Sequence, residues 1–320
     1  MIHDFSKNLV FMAPMAGITD QPFRKIAVTC GAKNFISEMV AINAIQRKNP
    51  KTYRIADVHN EPYPVTVQLV GNDPDLFAQA AELVAELGAA AIDINMGCPV
   101  KKIVHNNAGS ALMKDLLLAS KIIEKTVRAT SLKVSVKFRK GWDNEHVNAV
   151  EFAKMCEQSG ASYVTVHGRT RAQGYSGNAD WNIIAAVKDA VHIPVIGNGD
   201  IDSPEKALEM MTFSKVDGVM VGRAALGNPW LYQNIEHFLC THKQLQAPST
   251  EDIKNMLLNH IRLLVDYYDE HNGIAISRKY VGWYVKSFYA AKKFREQYTK
   301  LTTLAEAENL INQYFSEIQV

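Results

Sequence analysis

Residues 65–96, VTVQLVGNDPDLFAQAAELVAELGAAAIDINM, hold one full unit of the architecture. Val65 to Val70 is a short β-rich run. Asp73-Pro74 then supplies a helix cap and a proline suited to a first turn. Leu76, Phe77, Ala80, Leu83, Val84 and Leu87 follow on one face at helical spacing, and Gly88 marks the exit. Ala91 to Met96 reads as the next strand.

The alternation extends in both directions. Phe11 to Met15, Phe35 to Val40, Val134 to Arg139, Tyr163 to His167, Pro194 to Asn198 and Gly218 to Arg223 are further strand candidates, and Asp180-Trp181 and Ser203-Pro204 open helices as Asp73-Pro74 does. Eight strand–helix alternations over about 240 residues fit an α/β fold of the (β/α)8 TIM-barrel type; an open doubly wound sheet typically has fewer strands and one Gly-rich crossover. The barrel is expected over residues 1–242. From Lys243 to Thr250 the chain is polar with Pro248, and beyond it Asp252 to Glu270, Ile276 to Phe288 and Leu304 to Ile318 read only as helices. A small all-helical C-terminal domain is expected over residues 243–320.

Composition narrows the function classes. A 320-residue chain that is 47% hydrophobic and 21% charged is neither disordered nor collagen-like. With 35 Lys+Arg against 33 Asp+Glu the formal charge is +2, so nucleic-acid affinity must come from a local cluster, and a histone-like binder is excluded. Cys30, Cys98, Cys156 and Cys240 form no C-x-x-C pair and no zinc spacing, which is the usage of a reducing cytoplasm. Met1 to Lys7 lacks the basic and apolar character of a leader, and no run of eighteen apolar residues occurs. A cytoplasmic protein with no membrane partner and no metal is expected, as a monomer.

Barrel chemistry collects where strands end. Glu38, Gln68, Asn95, Lys137, Arg139, His167, Asn198 and Arg223 are polar residues closing apolar runs, and period two puts Lys137 with Arg139, and Asp93 with Asn95, on one face. A cation aimed into a barrel mouth costs desolvation unless an anion or ligand waits there. Gly197-Asn198-Gly199-Asp200 and Gly222-Arg223 stand where barrels hold phosphate groups. Lys137 supplies a charge suited to an anionic reduced flavin, Pro14-Met15 a flat apolar platform, and Gln68 an amide for a ring edge, so flavin mononucleotide (FMN) fits. Neither a G-x-G-x-x-G between strand and helix nor a P-loop is present, although a nicotinamide visitor to the mouth remains open. Cys98, on the turn Gly97-Cys98-Pro99, would be mostly protonated at neutral pH and suits proton donation better than attack.

Together these segments resemble a known family. Ala13-Pro14-Met15-Ala16-Gly17-Ile18-Thr19-Asp20, Asp93-Ile94-Asn95-Met96-Gly97-Cys98-Pro99, Lys137-Phe138-Arg139-Lys140-Gly141-Trp142, His167-Gly168-Arg169-Thr170-Arg171 and Gly197-Asn198-Gly199-Asp200 resemble the tRNA-dihydrouridine synthases. Gly222 to Trp230 looks most like the bacterial B-type branch. The resemblance implies an FMN-bearing barrel that uses NADPH to reduce the C5=C6 bond of D-loop uridines in tRNA. It implies FMN contacts from Pro14, Met15, Ala16, Gln68, Lys137, His167, Asn198, Gly199, Asp200, Gly222 and Arg223. Cys98 would protonate uracil C5, Asn95 and Arg139 would orient the flipped base, and Arg169 and Arg171 would meet RNA at the rim.

Ser277 to Lys300 carries seven basic residues, Arg278 and Lys279 among them, against Glu296 alone. Lys279, Lys286, Lys293 and Lys300 recur every seven and would align on one side of an unbroken helix, between aromatics that read either as core or as base-stacking platforms. Tyr280 stands where the family often has histidine, and Ser287-Phe288-Tyr289 replaces a common Gly-x-Pro. Two further readings stay open at this point: a barrel acting on a small pyrimidine, like dihydroorotate dehydrogenases, and a non-catalytic RNA-binding barrel.

Overall fold

The computed structural model describes residues 8–318; Met1 to Lys7, read above for a leader, lie outside them. Eight strands appear: β1 (Val10–Met12), β2 (Phe35–Ala41), β3 (Val65–Val70), β4 (Ala91–Met96), β5 (Val134–Arg139), β6 (Tyr163–His167), β7 (Val195–Asn198) and β8 (Gly218–Val221). Every ladder is parallel, and each strand pairs with its sequence neighbours from β2 through β8, with β8 returning to β1. The fold is the expected TIM barrel. The helix of the opening stretch runs Pro74–Glu86, with the Asp73 carboxylate accepting from the Asp75 and Leu76 backbone N–H groups, and Asp180 and Ser203 cap their helices likewise.

The seam between β1 and β2 is closed by one asparagine. Met12 N–H donates to the Asn34 carbonyl (2.9 Å), and the Asn34 side-chain amide donates to the Asn8 and Val10 carbonyls (both 3.1 Å). A side chain here replaces rungs that a longer strand would supply. Asn34→Ala should therefore cost about 1–3 kcal/mol, seen as a lower midpoint in urea, because buried carbonyls lose their donor. An unchanged midpoint would show the seam closes without it.

Both outer strands are shorter than expected: β1 stops at Met12 and β8 at Val221. After the last rung, Ala13 N–H to the Val221 carbonyl, the chain turns on itself, with Met15 N–H donating to Thr19 Oγ1 (2.9 Å) and Thr19 N–H to the Met15 carbonyl. Pro14, Met15, Gly222 and Arg223 thus sit on loops. The β2–β3 ladder slips between Ile36 and Met39, and the Ser37 hydroxyl takes the Gln68 N–H (3.1 Å). Such a bulge re-aims the following side chain. Glu38 uses its carboxylate to accept the Gly17 N–H, bracing the loop after β1.

Phe11, Ala13, Ile36, Tyr163, Ile196 and Met220 form a buried apolar plug in the barrel. The chain divides into two compact units. One runs up to Asp20 and resumes over Ala32–Gly222; the other joins Gln21–Gly31 to Arg223 onward. His242, the expected boundary, falls inside the second unit.

In that unit the helices are Gln21–Thr29, Leu231–Thr241, Thr250–Tyr268, Glu270–Tyr284, Ala291–Tyr298 and Leu304–Ile318. The unbroken basic helix over 277–300 does not form. It stops at Tyr284, and Ala290 takes a left-handed conformation (φ 54°) before the next helix begins, so Lys279 and Lys293 lie on different helices and Lys286 and Lys300 on neither. Tyr280, Tyr284, Phe294 and Tyr298 are buried and serve as core, for example Phe23 stacked on Tyr280 and Phe294 on Tyr314. Tyr289 is exposed. Among the described residues no helix is long and apolar enough to cross a membrane, and no group of three His, Cys, Asp or Glu side chains could hold a metal ion.

Candidate active site

Alternate inward positions of β3, β4 and β5 are polar. A carboxylate begins a line of hydrogen bonds there. Gln68 Nε2 donates to Asp93 Oδ2 (2.6 Å), Asn95 Nδ2 donates to Gln68 Oε1 (2.9 Å), and Asn95 Oδ1 accepts the backbone N–H groups of Gly97 (3.2 Å) and Cys98 (2.9 Å). Ser135 Oγ donates to the second Asp93 oxygen (2.6 Å). Cys98 therefore follows β4 on a loop pinned from below by Asn95. A second clamp holds it from the side, where Ser110 Oγ and Ser110 N–H both donate to the Cys98 carbonyl. Gly109 permits that approach: it sits at φ 60°, and a Cβ there would lie 2.8 Å from the Cys98 carbonyl oxygen.

The Cys98 thiol is 9% exposed, and burial raises its pKa, against the Val100 backbone N–H and the positive charges of Arg139 and Lys137. The sulfur therefore keeps its proton at neutral pH. Because the Lys137 and Arg139 charges reach the sulfur and Asn95 pairs with Lys137 across the ladder, thiol and lysine share one end of the barrel.

Lys137 Nζ donates to Asn198 Oδ1 (3.0 Å), and Asn198 Nδ2 donates to the Met220 carbonyl (2.8 Å), which fixes the asparagine's orientation. Burial, then the Arg139 charge, brings the Lys137 pKa down to about 8, with Asp93 opposing. Arg139 is nearly buried and spends its donors on carbonyls: Nε on Gly97 (2.8 Å), Nη1 on Thr170 (3.0 Å) and Gly174 (2.8 Å). It thereby ties the Cys98 loop to the loop after β6.

Arg169 requires a correction. Expected at the rim meeting RNA, it is 2% exposed and forms a forked pair with Asp200 (2.7 and 2.8 Å), while its Nε donates to the Ser176 carbonyl and Nη2 to that of Gly177. Asp200 also accepts the Ala179 N–H (2.7 Å). Both act as a staple for the loop after β6. Since breaking a buried pair leaves one charge uncompensated, Arg169→Met should speed amide exchange over residues 176–179 by about tenfold or more; unaltered exchange would show the loop is held by other means. Arg171 is half-buried, its guanidinium 4.6 Å from the Trp142 ring centre, with Lys114 Nζ on the same ring at 4.2 Å.

The remaining expected residues divide between the two units. Pro14 and Met15 are half-buried and Ala16 exposed on the first loop, and His167 is buried with Nε2 3.4 Å from Arg169 Nη1. Gly199 (φ 126°) leaves no room for a side chain, since a Cβ would meet that of Ala179 at 2.5 Å. At Gly222 a Cβ would lie 3.5 Å from that of Ala13 and 3.9 Å from Met15 Sδ, ordinary contact distances, so the last loop runs beside the first there. Arg223, Arg278 and Lys279 belong to the second unit, where Arg278 donates to the Leu301 carbonyl (3.3 Å) and Lys279 lies over the Tyr280 ring. Lys137 and Asn198 thus place an ammonium and an amide together at this end of the barrel.

Sequence reading missed the use of Asp93, Ser110, Gly109 and Tyr175. Asp93 carried a signal, a carboxylate at a β4 position due to face inward. Tyr175, 57% exposed and 5.5 Å from the Arg139 guanidinium, lies in a polar loop that shows no periodicity.

The parallel barrel thus joins a lysine, an amide line and a buried thiol at one end. The sequence matches the profile described as Dihydrouridine synthase (Dus) over residues 11–319. It is 43% identical over 98% of its length to tRNA-dihydrouridine synthase B of Pseudomonas aeruginosa, covering 94% of that protein, and 42% identical to a probable tRNA-dihydrouridine synthase of Rickettsia bellii, covering 98% and 97%. Among solved structures, the old yellow enzyme homologue of Zymomonas mobilis superposes with a TM-score of 0.53 at 13% identity, over 75% of this chain and 90% of that one. Histamine dehydrogenase of Rhizobium superposes with 0.55 at 13%, over 80% and 49%; both likenesses concern the fold. The chain belongs to the dihydrouridine synthase family.

Proposed function

We propose that this protein reduces the C5=C6 bond of a D-loop uridine in tRNA, with FMN as cofactor and NADPH as reductant, in the cytoplasm. The observation that carries the reading is the placement of the buried, protonated Cys98 at the same barrel mouth as Lys137. When bound, FMN would supply the hydride, taken from NADPH and passed from its N5 to uracil C6.

The chain's own residues do the rest. Lys137, steadied by Asn198, would offer its positive charge to the negative charge of a reduced ring. Asn198 offers an amide edge, Pro14 and Met15 an apolar face, and Gly199, Asp200 and Gly222 shape the phosphate end, with Arg223 as the next residue along the chain; Gln68, buried and bonded to Asp93 and Asn95, would support the cofactor side through them. His167 completes the cofactor side. Cys98 Sγ holds the proton that goes to uracil C5, and Asn95, whose carbonyl oxygen is committed to the loop, keeps that sulfur in place. The base must leave its stack to reach the mouth, at a cost of a few kcal/mol repaid by contacts at the site. Arg139 acts from the loop it ties down, Arg171 with Trp142 and Lys114 offers a cationic aromatic patch to RNA, and Arg278 and Lys279 add backbone contacts from the helical unit.

Purified protein should be yellow, be bleached by NADPH, and regain colour on unmodified tRNA with dihydrouridine formed. Colourless protein that cannot be reconstituted with FMN would overturn the redox reading. Turnover of free uracil or dihydroorotate with indifference to tRNA would favour a small-pyrimidine enzyme instead. RNA affinity should fall as salt rises, because phosphate contacts release counterions.

A further inference from the structure

The line of hydrogen bonds from Asp93 to the Cys98 loop has a direction imposed at both ends. The backbone N–H groups of Gly97 and Cys98 only donate, so Asn95 must turn Oδ1 toward them and Nδ2 toward Gln68. Gln68 must then present Oε1 to Asn95, which leaves Nε2 facing the barrel floor. An ionised carboxylate only accepts, and Asp93 stands there at 2.6 Å, with Ser135 Oγ holding its other oxygen. Asp93 and Gln68 are fully buried and Asn95 nearly so, so water is no substitute for any member.

We propose that Asp93 is a positioning residue which, through Gln68 and Asn95, locks both amides in one orientation and holds the Cys98 loop in register. Asp93 lies one inward step below Asn95 on β4. Without an acceptor at this floor position, Gln68 Nε2 is buried and unpaired, the amide rotates, Asn95 loses its own acceptor, and the N–H groups of Gly97 and Cys98 lose a fixed oxygen. The inference deepens the assignment of Cys98 as the proton donor and rests on it for its functional meaning, whereas its test reads the thiol directly.

The full-length protein as purified is treated with iodoacetamide, and each cysteine is followed by mass spectrometry, with no tRNA or NADPH present. Cys98 in Asp93→Ala should be alkylated on the order of tenfold faster than in the unaltered protein, the worth of one buried hydrogen bond in local opening. Gln68→Leu breaks the line at its middle, should give the same acceleration, and carries the test if Asp93→Ala fails to fold. The double variant should be no faster than either single one. Asp93→Asn offers an oxygen to Gln68 and an amide to the Ser135 hydroxyl, so its Cys98 should react at close to the original rate. Buried Cys156 and exposed Cys240 report general loosening and intrinsic reagent strength. Unchanged Cys98 reactivity in both line-breaking variants would overturn the proposal, as would a rise shared by Cys156 or an Asp93→Asn protein as reactive as Asp93→Ala. Failure of the tRNA assay would leave these rates untouched, so the two readings fall separately.

Discussion

Cys98→Ala should keep its flavin and still bind tRNA, yet reduce uridine about 10²- to 10⁴-fold more slowly in a single turnover, the usual worth of a positioned general acid. Burial raises the thiol pKa, so the sulfur arrives protonated, and nearby Lys137 and Arg139 stabilise the thiolate left behind. Alanine removes the proton without disturbing the loop, since Asn95 and Ser110 hold the Cys98 backbone and not its side chain. Flavin reduction by NADPH needs no thiol and should be unaffected. Single-turnover rates on unmodified tRNA that match the unaltered enzyme would refute the assignment.

Lys137→Met should slow flavin reduction by about 10²- to 10³-fold, the scale for losing one fixed donor at a developing charge. Asn198 accepts from the ammonium, yet burial, and after it the Arg139 charge, bring its pKa down to about 8. In flavin-free protein the charge is therefore lost as pH rises through about 8. The sign for folding is opposite: between about 8 and 10.5 the unfolded chain binds the proton that the folded one has released, so stability rises with pH across that window. The methionine variant should lose this rise. Equal reduction rates in the two proteins would remove Lys137 from the redox step.

The fold was legible because each helix announces its start. Asp73, Asp180 and Ser203 cap as read, and β3 through β6 match their expected bounds to the residue. β1 and β8 were read too long because Pro14, Met15 and Gly222 continue an apolar run, whereas the turn that Thr19 closes on Met15 takes the chain out of β1. The mouth was legible as a set of side chains but not as a network. Nothing in the spacing tells that Arg169 turns inward to Asp200, because ion-pair geometry depends on how two loops meet. The heptad of lysines misled for a related reason: Ala290 adopts a backbone conformation that its side chain does not advertise.

The helix Gln21–Thr29 belongs with residues beyond Arg223, its Phe23 lying against His260 and Tyr280, and Thr29 reaching Met256 across 227 positions of sequence. During synthesis this segment emerges about two hundred residues before the neighbours it packs against. The tail is accordingly no detachable module. Cutting the gene after the barrel would strand an early helix with a bare aromatic face, so shuffling this helical unit onto another scaffold would demand that the donor sequence be taken in two pieces.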